Sequence, residues 1–512
     1  MPSSRPGHLP RTLLATLTLA ASIAGAQTVR FSPSVAITET LTNNVNLSPG
    51  SGAKSDLIST FTPGFSISEQ SARTQLSGNV SAPILIYART GSENDQVLPQ
   101  VNLTGSVQAI ENWFYVDGNA SVSQQYLSPF GPRPSNIENI NQNRYTAQEY
   151  SVSPYVKRPL PGDIQYEIRD TNIWTKSNSV PTTAGTTAYS NNASAIVSRT
   201  PLPLGWDVSY NRSEVRFSSQ QPFITQSARG DLVYQAGPEL QVSLRGGYEN
   251  ADYVLNRYHS SIYGAGANWQ PNARTSVNGT WEHRFFGSGY HVGSSYRTPL
   301  FAWDASFSRD ITSQPQQLAA GAGVLDIRVL LNQLFLSQFP DPIQRQQYIE
   351  QFILDHGLPQ FIANPDVFFT QQVYLQQQAS TSLGLLGARN TIFLSLYHVR
   401  TEPIVSTLNP VIQLNNNSQF GGNLAWTHNL GSNLTFVATA NAVRTVGNGA
   451  TGGSSGTSGG NTRQGSINLQ LSSSLGPNTS ISGGARYFIV RSDLADNVQE
   501  AAIFVSVSHT FR

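Results

Sequence analysis

Nine charged side chains, Glu167, Arg169, Asp207, Arg245, Glu249, Glu282, Arg284, Asp304 and Arg486, stand in segments where polar and apolar residues alternate. Ile164, Tyr166 and Ile168 alternate with Gln165, Glu167 and Arg169; Val242, Leu244, Gly246 and Tyr248 alternate with Ser243, Arg245, Gly247 and Glu249. A period of two puts the charges on one face of a strand and the apolar side chains on the other. Carboxylates and guanidiniums sharing a wet face can do two things. They can bridge one another and stiffen a wall, or line a hydrogen-bonding conduit for a neutral or weakly charged polymer. A strongly acidic polysaccharide would call for a mainly basic lining, and here both signs occur. No catalytic constellation stands out. There is no H-E-x-x-H and no P-loop, and no nucleophile elbow or dinucleotide fingerprint in the strand–turn–helix setting those motifs require. The eight His are scattered and Cys is absent, which excludes a thiol nucleophile, a disulfide scaffold and a thiolate metal site. The residues indicate neither an enzyme nor a cofactor. A site assembled from distant strands would need a His within hydrogen-bond reach of a Ser or carboxylate at the rim.

The elements that must position these charges are long strands. From Val29 onward the alternating segments run roughly 11–15 residues, longer than the ~5–6 of soluble strands and long enough for a tilted strand to cross hydrocarbon. Charged residues make up 12% of the chain, yet the mean hydropathy is −0.25. The polarity therefore comes from Ser, Thr, Asn and Gln, which suits a sheet with one lipid face and one wet face. Tight turns are predicted near Gln70–Arg73, Ile110–Asn112, Pro159–Gly162, Pro201–Leu204, Gly237–Glu239, Pro271–Ala273, Thr298–Leu300, Gly387–Asn390, Leu430–Ser432 and Gly476–Asn478. Between them fall longer polar loops: Asn43–Asp56, Ser128–Tyr145, Ser177–Thr187, Ile404–Ser418 and the Gly/Ser tract Gly447–Thr462. Short periplasmic turns alternating with long extracellular loops are the outer-membrane pattern, and the count is about 22 antiparallel strands, within a range of about 16–24. The expected fold is an all-β, up-and-down transmembrane barrel.

The Trp residues agree with this register. Trp113, Trp206 and Trp303 follow predicted turns, Trp269 and Trp426 precede them, and Trp174 and Trp281 fall toward the other boundary. Amphipathic rings favour the two water–membrane interfaces. In the last segment Ile503, Val505, Val507 and Phe511 share one face and Ser506, Ser508 and Thr510 the other. An amphipathic final strand with a near-terminal aromatic suits outer-membrane insertion machinery, with Arg512 a departure from it. At the other end, Arg5 and Arg11 precede the short apolar run Leu13–Ile23 and Ala24-Gly25-Ala26. This reads as a signal peptide over residues 1–26, cleaved to leave Gln27 first. The run is too short for the ~20 residues of a membrane-spanning helix. Residues 27–512 form a single barrel domain in this reading, with strand pattern beginning close to Gln27 and no separate N-terminal plug domain. The net charge of +1 gives no case for nucleic acid as a partner or for general acidic-membrane binding.

One segment breaks the alternation. Val324–Phe339 is strongly apolar without alternation and ends at Pro340; Asp341-Pro342-Ile343-Gln344 reads as N-cap, N1 proline and capping-box partner. Tyr348, Ile349, Phe352 and Ile353 form a helical stripe, and Gly357 with Pro359 marks the stop. Two helices are expected within an insert over 315–367, in a loop that starts on the extracellular side. Val324, Leu330, Phe335, Tyr348 and Phe352 are the candidate contacts of a plug folded into the lumen. Surface decoration and a protein-docking element are the other readings.

The residues also resemble a known family. Thr38-Glu39-Thr40 with Asn43-Asn44-Val45-Asn46-Leu47, Ser121-Val122-Ser123-Gln124-Gln125 with Ser128-Pro129-Phe130-Gly131-Pro132, and the helical insert followed by Leu386-Gly387-Ala388-Arg389-Asn390 are similar to the PEP-CTERM system-associated outer-membrane protein family. The likeness runs over essentially the whole mature chain. It implies a barrel in the outer membrane of a Gram-negative bacterium whose genome carries exosortase sorting and exopolysaccharide loci. It brings no catalytic or ligand residues. Three functions follow as expectations: a channel or accessory component for exopolysaccharide export or surface-protein sorting, a general porin or uptake channel, or a structural barrel that contacts sorted surface proteins. Expected partners are outer-membrane lipid, the insertion machinery, and polysaccharide or sorted proteins.

Overall fold

The computed structural model describes residues 29–178, 185–218, 221–253, 256–321, 324–336, 338–355, 361–363, 366–404, 416–448, 460–493 and 496–511. Residues 1–26 lie outside them, as do Gly357 and Pro359 and the middles of three of the long loops. The wall is a closed antiparallel barrel of 22 strands. Closure comes from Arg30–Thr42, which pairs with Asp56–Gln70 on one side and with the last strand, Val498–Thr510, on the other. Two wall strands are each broken in two. Thr74–Ser81 and Ile84–Tyr87 both run along Asp56–Gln70, interrupted at Ala82-Pro83; Gln96–Val97 and Gln100–Ile110 form the next strand, interrupted at Leu98-Pro99. Proline has no N–H for the ladder, so each break falls where a donor is missing.

The unbroken strands run from 10 residues, Thr275–Arg284, to 17, Arg144–Leu160 and Asn256–Asn272. All ten predicted tight turns join consecutive strands at one end of the barrel. At two of them Asn112 and Asp163 take φ of 54° and 58°, a region that Asn and Asp tolerate better than most side chains. The outer face is apolar: Leu244, Tyr248, Val208, Leu232, Ile467, Leu469, Ile503 and Val505 are all exposed. The inner residues of the same strands are covered, as with Glu249 and Ala502. A closed sheet satisfies its backbone without a free edge and shows lipid only side chains, the requirement for crossing a bilayer with strands. One residue departs from the expected pattern. By period two Phe285 would share the outer face with Val277 and Trp281; it lies just past the strand end at Arg284 and packs against the inward cluster Val215, Phe217, Phe223 and Val373. Once the ladder ends, period-two alternation no longer dictates direction.

The insert leaves the wall at the loop end of Phe301–Ser313 and returns at Val373. It holds three helices rather than two: α1 (Gln314–Ala319), α2 (Ile327–Phe335) and α3 (Pro342–Asp355). α1 opens with Pro315 in its first turn, where proline's missing N–H costs nothing. Val324, expected in a plug helix, instead begins a short strand, Val324–Asp326, that pairs with Phe361–Ala363. β-branched Val at a position with a backbone partner favours that ladder over a helical turn. α3 starts as predicted, the Gln344 N–H donating to Asp341 Oδ1 at 3.1 Å.

Candidate functional site

The nine charged residues singled out from the sequence stand on the inward side of their strands; seven of them form ion pairs, Asp207 faces Asp231, and Asp304 bonds the insert. Arg169 bonds Asp117 at 2.8 Å and Glu167 at 3.0 Å. Arg245 bonds Asp231 at 2.7 Å and Glu282 at 3.1 Å. Arg284 holds Glu249 at 3.0 Å and Asp310 at 2.9 Å. Arg229 reaches Glu282 at 3.2 Å, so one carboxylate joins three strands. Asp207 lies directly opposite Asp231, and Arg486 bonds Glu500 at 3.1 Å and Glu138 at 2.9 Å. Asp304 accepts a hydrogen bond from Gln333 of α2, which ties the wall to the insert.

The insert descends from the loop end to the turn end. Ile327, Leu330, Leu331, Leu334 and Phe335 of α2, with Ile349 and Ile353 of α3, pack on Ala302, Phe393 and Ala425 of the wall. Those three wall residues sit within a few residues of the turns before Phe301, before Asn390 and after Asn429. From Ser313 to Ala302 is 11 residues along one strand, about 36 Å at ~3.3 Å per residue. At a tilt near 40° that is about 28 Å of height, nearly the thickness of the membrane. Gly384 makes the close approach possible: a Cβ there would stand 3.1 Å from the Phe393 ring and 3.5 Å from Leu334. Phe352 packs against this cluster, and Tyr348 stacks on Phe339 at 4.4 Å with its other side half exposed. Of the candidate plug contacts, Leu330, Phe335, Tyr348 and Phe352 therefore gather at one seat, and Val324 belongs to the short ladder instead.

A second seat lies at the loop end and is more polar. Leu318 of α1 packs with Tyr145, Ala147 and Val367. Gln314 donates to the Tyr145 hydroxyl at 2.5 Å, Gln316 to Ser213 at 3.2 Å, and the Tyr374 hydroxyl to Gln317 at 2.7 Å. The loop over 127–143 folds inward to meet it, a role the sequence reading missed. Arg133, with 3% of its side chain exposed, bonds Asp366 at 2.7 Å. It also donates to Gln419 at 3.2 Å and Thr445 at 3.0 Å, while Gln464 accepts its backbone N–H at 2.8 Å. Burial pushes the Asp366 carboxyl upward, and Arg133 pulls it back only in part; its remaining exposed surface borders a small, partly open cavity of about 30 Å³. That volume has room for a water or two. The only sequence signal for this seat is a lone Arg inside the proline-rich run Pro129-Phe130-Gly131-Pro132-Arg133-Pro134. Among the described residues no group of three or more His, Asp or Glu is placed to hold a metal ion.

A lipid-facing wall, a wet charged interior and a loop seated inside define the class: a transmembrane β-barrel of the outer-membrane type with its lumen occupied by its own chain. No family model and no curated protein matches the sequence. In fold it is similar to the siderophore receptor PirA from Pseudomonas aeruginosa, at 11% identity and a TM-score of 0.44 over 94% of this chain and 80% of that one. It is likewise similar to the apoprotein form of the FrpB iron transporter (F5-1 variant) from Neisseria meningitidis, at 8% identity and a TM-score of 0.49 over 94% of this chain and 81% of that one.

Proposed function

We propose that this chain is an outer-membrane channel narrowed by its own insert, acting as an accessory component of exopolysaccharide export or surface-protein sorting. The observation that carries the channel reading is the apolar seat of α2 and α3 at the turn end, far from where the insert leaves the wall. A decorative loop has no need to bury Leu331 and Leu334 at the opposite end of the barrel. Mutually paired wall charges support a neutral, hydrogen-bonding solute over an ionic one. The export assignment rests on the sequence resemblance to the PEP-CTERM-associated barrels. Replacing 316–366 by a Gly/Ser linker is expected to give a folded barrel with higher single-channel conductance in planar bilayers. A strain lacking the gene is expected to secrete less polymer. Unchanged conductance in the folded deletion variant would refute the plug and turn the helices into a docking surface. Raised conductance with normal polymer secretion would leave a general porin or uptake channel, and a barrel without conductance in either form would be structural.

A further inference from the structure

The net charge of +1 conceals a local basic surface. Arg444 lies directly opposite Arg463 in one strand pair, and Arg463 directly opposite Arg491 in the next. All three are exposed, while their inward neighbours Thr445, Thr462 and Val490 are buried, so the row faces outward. Like charges placed directly across a strand pair repel. Among the described residues none of the three makes an ion pair; Arg444 donates to Asn461 Oδ1 at 3.0 Å. Asp493, two residues beyond Arg491, and Asp496 are exposed in the loop that follows. Exposed Phe420 lies directly opposite Arg444 on the next strand.

The height of the row identifies what it meets. Arg444, Arg463 and Arg491 stand 10, 13 and 12 residues from the turn ends of their strands, at Leu434, Gly476 and Thr479. With ~3.4 Å per residue and a tilt near 40°, that is about 26, 34 and 31 Å of height. The apolar band of such barrels is about 25 Å tall. Trp174, ten residues from its own turn end at Ile164, marks the same upper boundary. The guanidiniums therefore stand at and above the outer edge of the hydrocarbon, on the long-loop side, at the level of lipid headgroups. Guanidinium forks match phosphate oxygens in charge and geometry.

We propose that Arg444, Arg463 and Arg491 form a binding surface for the phosphate groups of an outer-leaflet glycolipid, with Phe420 against its acyl chains. The proposal depends on the barrel and its orientation, not on what the lumen carries. Its test is native mass spectrometry of the full-length barrel in detergent, titrated with bisphosphorylated lipid A and, separately, with dephosphorylated lipid A. The wild-type barrel is expected to retain the phosphorylated form selectively. A basic residue near an anionic surface contributes about a factor of five in binding, so the Arg444→Gln/Arg463→Gln/Arg491→Gln triple variant is expected to lose roughly a hundred-fold in affinity. Arg463→Gln alone, should the triple variant not fold, is expected to lose about five-fold. Arg158→Gln/Arg199→Gln, exposed at the turn end, is expected to bind as wild type. Equal affinity for the two lipids, or equal losses in the turn-end control, would overturn the proposal. Displacement of lipid A by an equal concentration of inorganic phosphate would assign a free-anion site and overturn the lipid.

Discussion

The apolar seat of α2 can be weakened without touching the wall ladder. Leu331 and Leu334 are 0% and 1% exposed and pack inside the cluster formed with Ala302, Phe393 and Ala425. Each Leu→Ala change in such a site costs about 3–5 kcal/mol. The double variant Leu331→Ala/Leu334→Ala therefore removes roughly 6–10 kcal/mol of docking, comparable with the stability of a whole small domain. The consequence for the pore follows from size. With strands ~4.8 Å apart and tilted ~40°, 22 strands enclose a circumference of about 138 Å and a circular wall about 44 Å across. Side chains ~6 Å deep leave a bore of about 800 Å². α2 and α3, at 9 and 14 residues, are about 14 and 21 Å long and ~10 Å thick, covering about 150 Å² upright and about 350 Å² lying flat. Their release is expected to raise single-channel conductance by about 1.2- to 1.8-fold, or more if they sit at the narrowest point. Limited proteolysis should cut the insert in the variant and spare it in the parent. The temperature at which unboiled protein changes mobility in a detergent gel should stay the same, because the closed ladder is intact. An insert cut by protease with conductance unchanged would refute the plug. A lowered gel-shift temperature with an uncut insert would show that α2 braces the wall instead.

Two further outcomes follow from named contacts. Leu244→Arg is expected to cut folding yield in bilayers, since a lipid-facing Arg near the midplane costs about 2–4 kcal/mol, while Ser243→Arg on the wet face is expected to fold almost as the parent does; equal yields would overturn the register of Leu240–Tyr253. Arg133→Met strands the Asp366 carboxylate, at about 3–5 kcal/mol for a broken buried pair. Asp366 in the docked state then titrates still higher than in the released state, so docking is favoured at low pH and lost as pH rises through the docked value. Protease release of the insert is expected to be greater at pH 8 than at pH 5, and Arg133→Met/Asp366→Asn should abolish that difference.

The barrel was legible because period two is enforced by lipid on one side and water on the other. Leu244 beside Ser243 and Arg245, or Ile168 between Glu167 and Arg169, can take only one arrangement in a membrane. Nine of the ten tight turns were legible because Asn, Gly or Pro stands where the backbone reverses; Gln70–Arg73 has none of them and was legible only as a break in the alternation. What alternation could not reach lay beyond the ladders. Phe285 turned inward one residue past its strand. Val324 found a partner in Ala363, 39 residues on, a pairing that no local window contains. Arg133 meets Gln419, Thr445 and Gln464 only because the barrel closes. The arginine row has the same origin: Arg444, Arg463 and Arg491 are unremarkable in sequence and become one surface through register.

The two seats of the insert differ in kind, and the difference sets an order of release. At the loop end the bonds of Gln314, Gln316, Gln317 and Arg133 are polar. Each such hydrogen bond is exchanged for water at a net loss of only about 0.5–1.5 kcal/mol, and the charged ones at about 1.5–3 kcal/mol. At the turn end the contacts of Leu330, Leu331, Leu334, Phe335, Ile349 and Ile353 are apolar, and water returns nothing for them; each fully buried side chain forfeits about 1.5–3 kcal/mol on exposure. Six such side chains outweigh a handful of exchangeable hydrogen bonds. The loop-end seat can therefore open while α2 and α3 stay docked, widening the upper lumen and leaving the turn end as narrow as before. Widening of the turn end requires the apolar seat to yield. That step needs either a partner that offers α2 another apolar surface or a solute that competes for Ala302, Phe393 and Ala425. On the proposed channel reading the stronger constriction stands on the periplasmic side, although the insert that forms it is rooted in an extracellular loop.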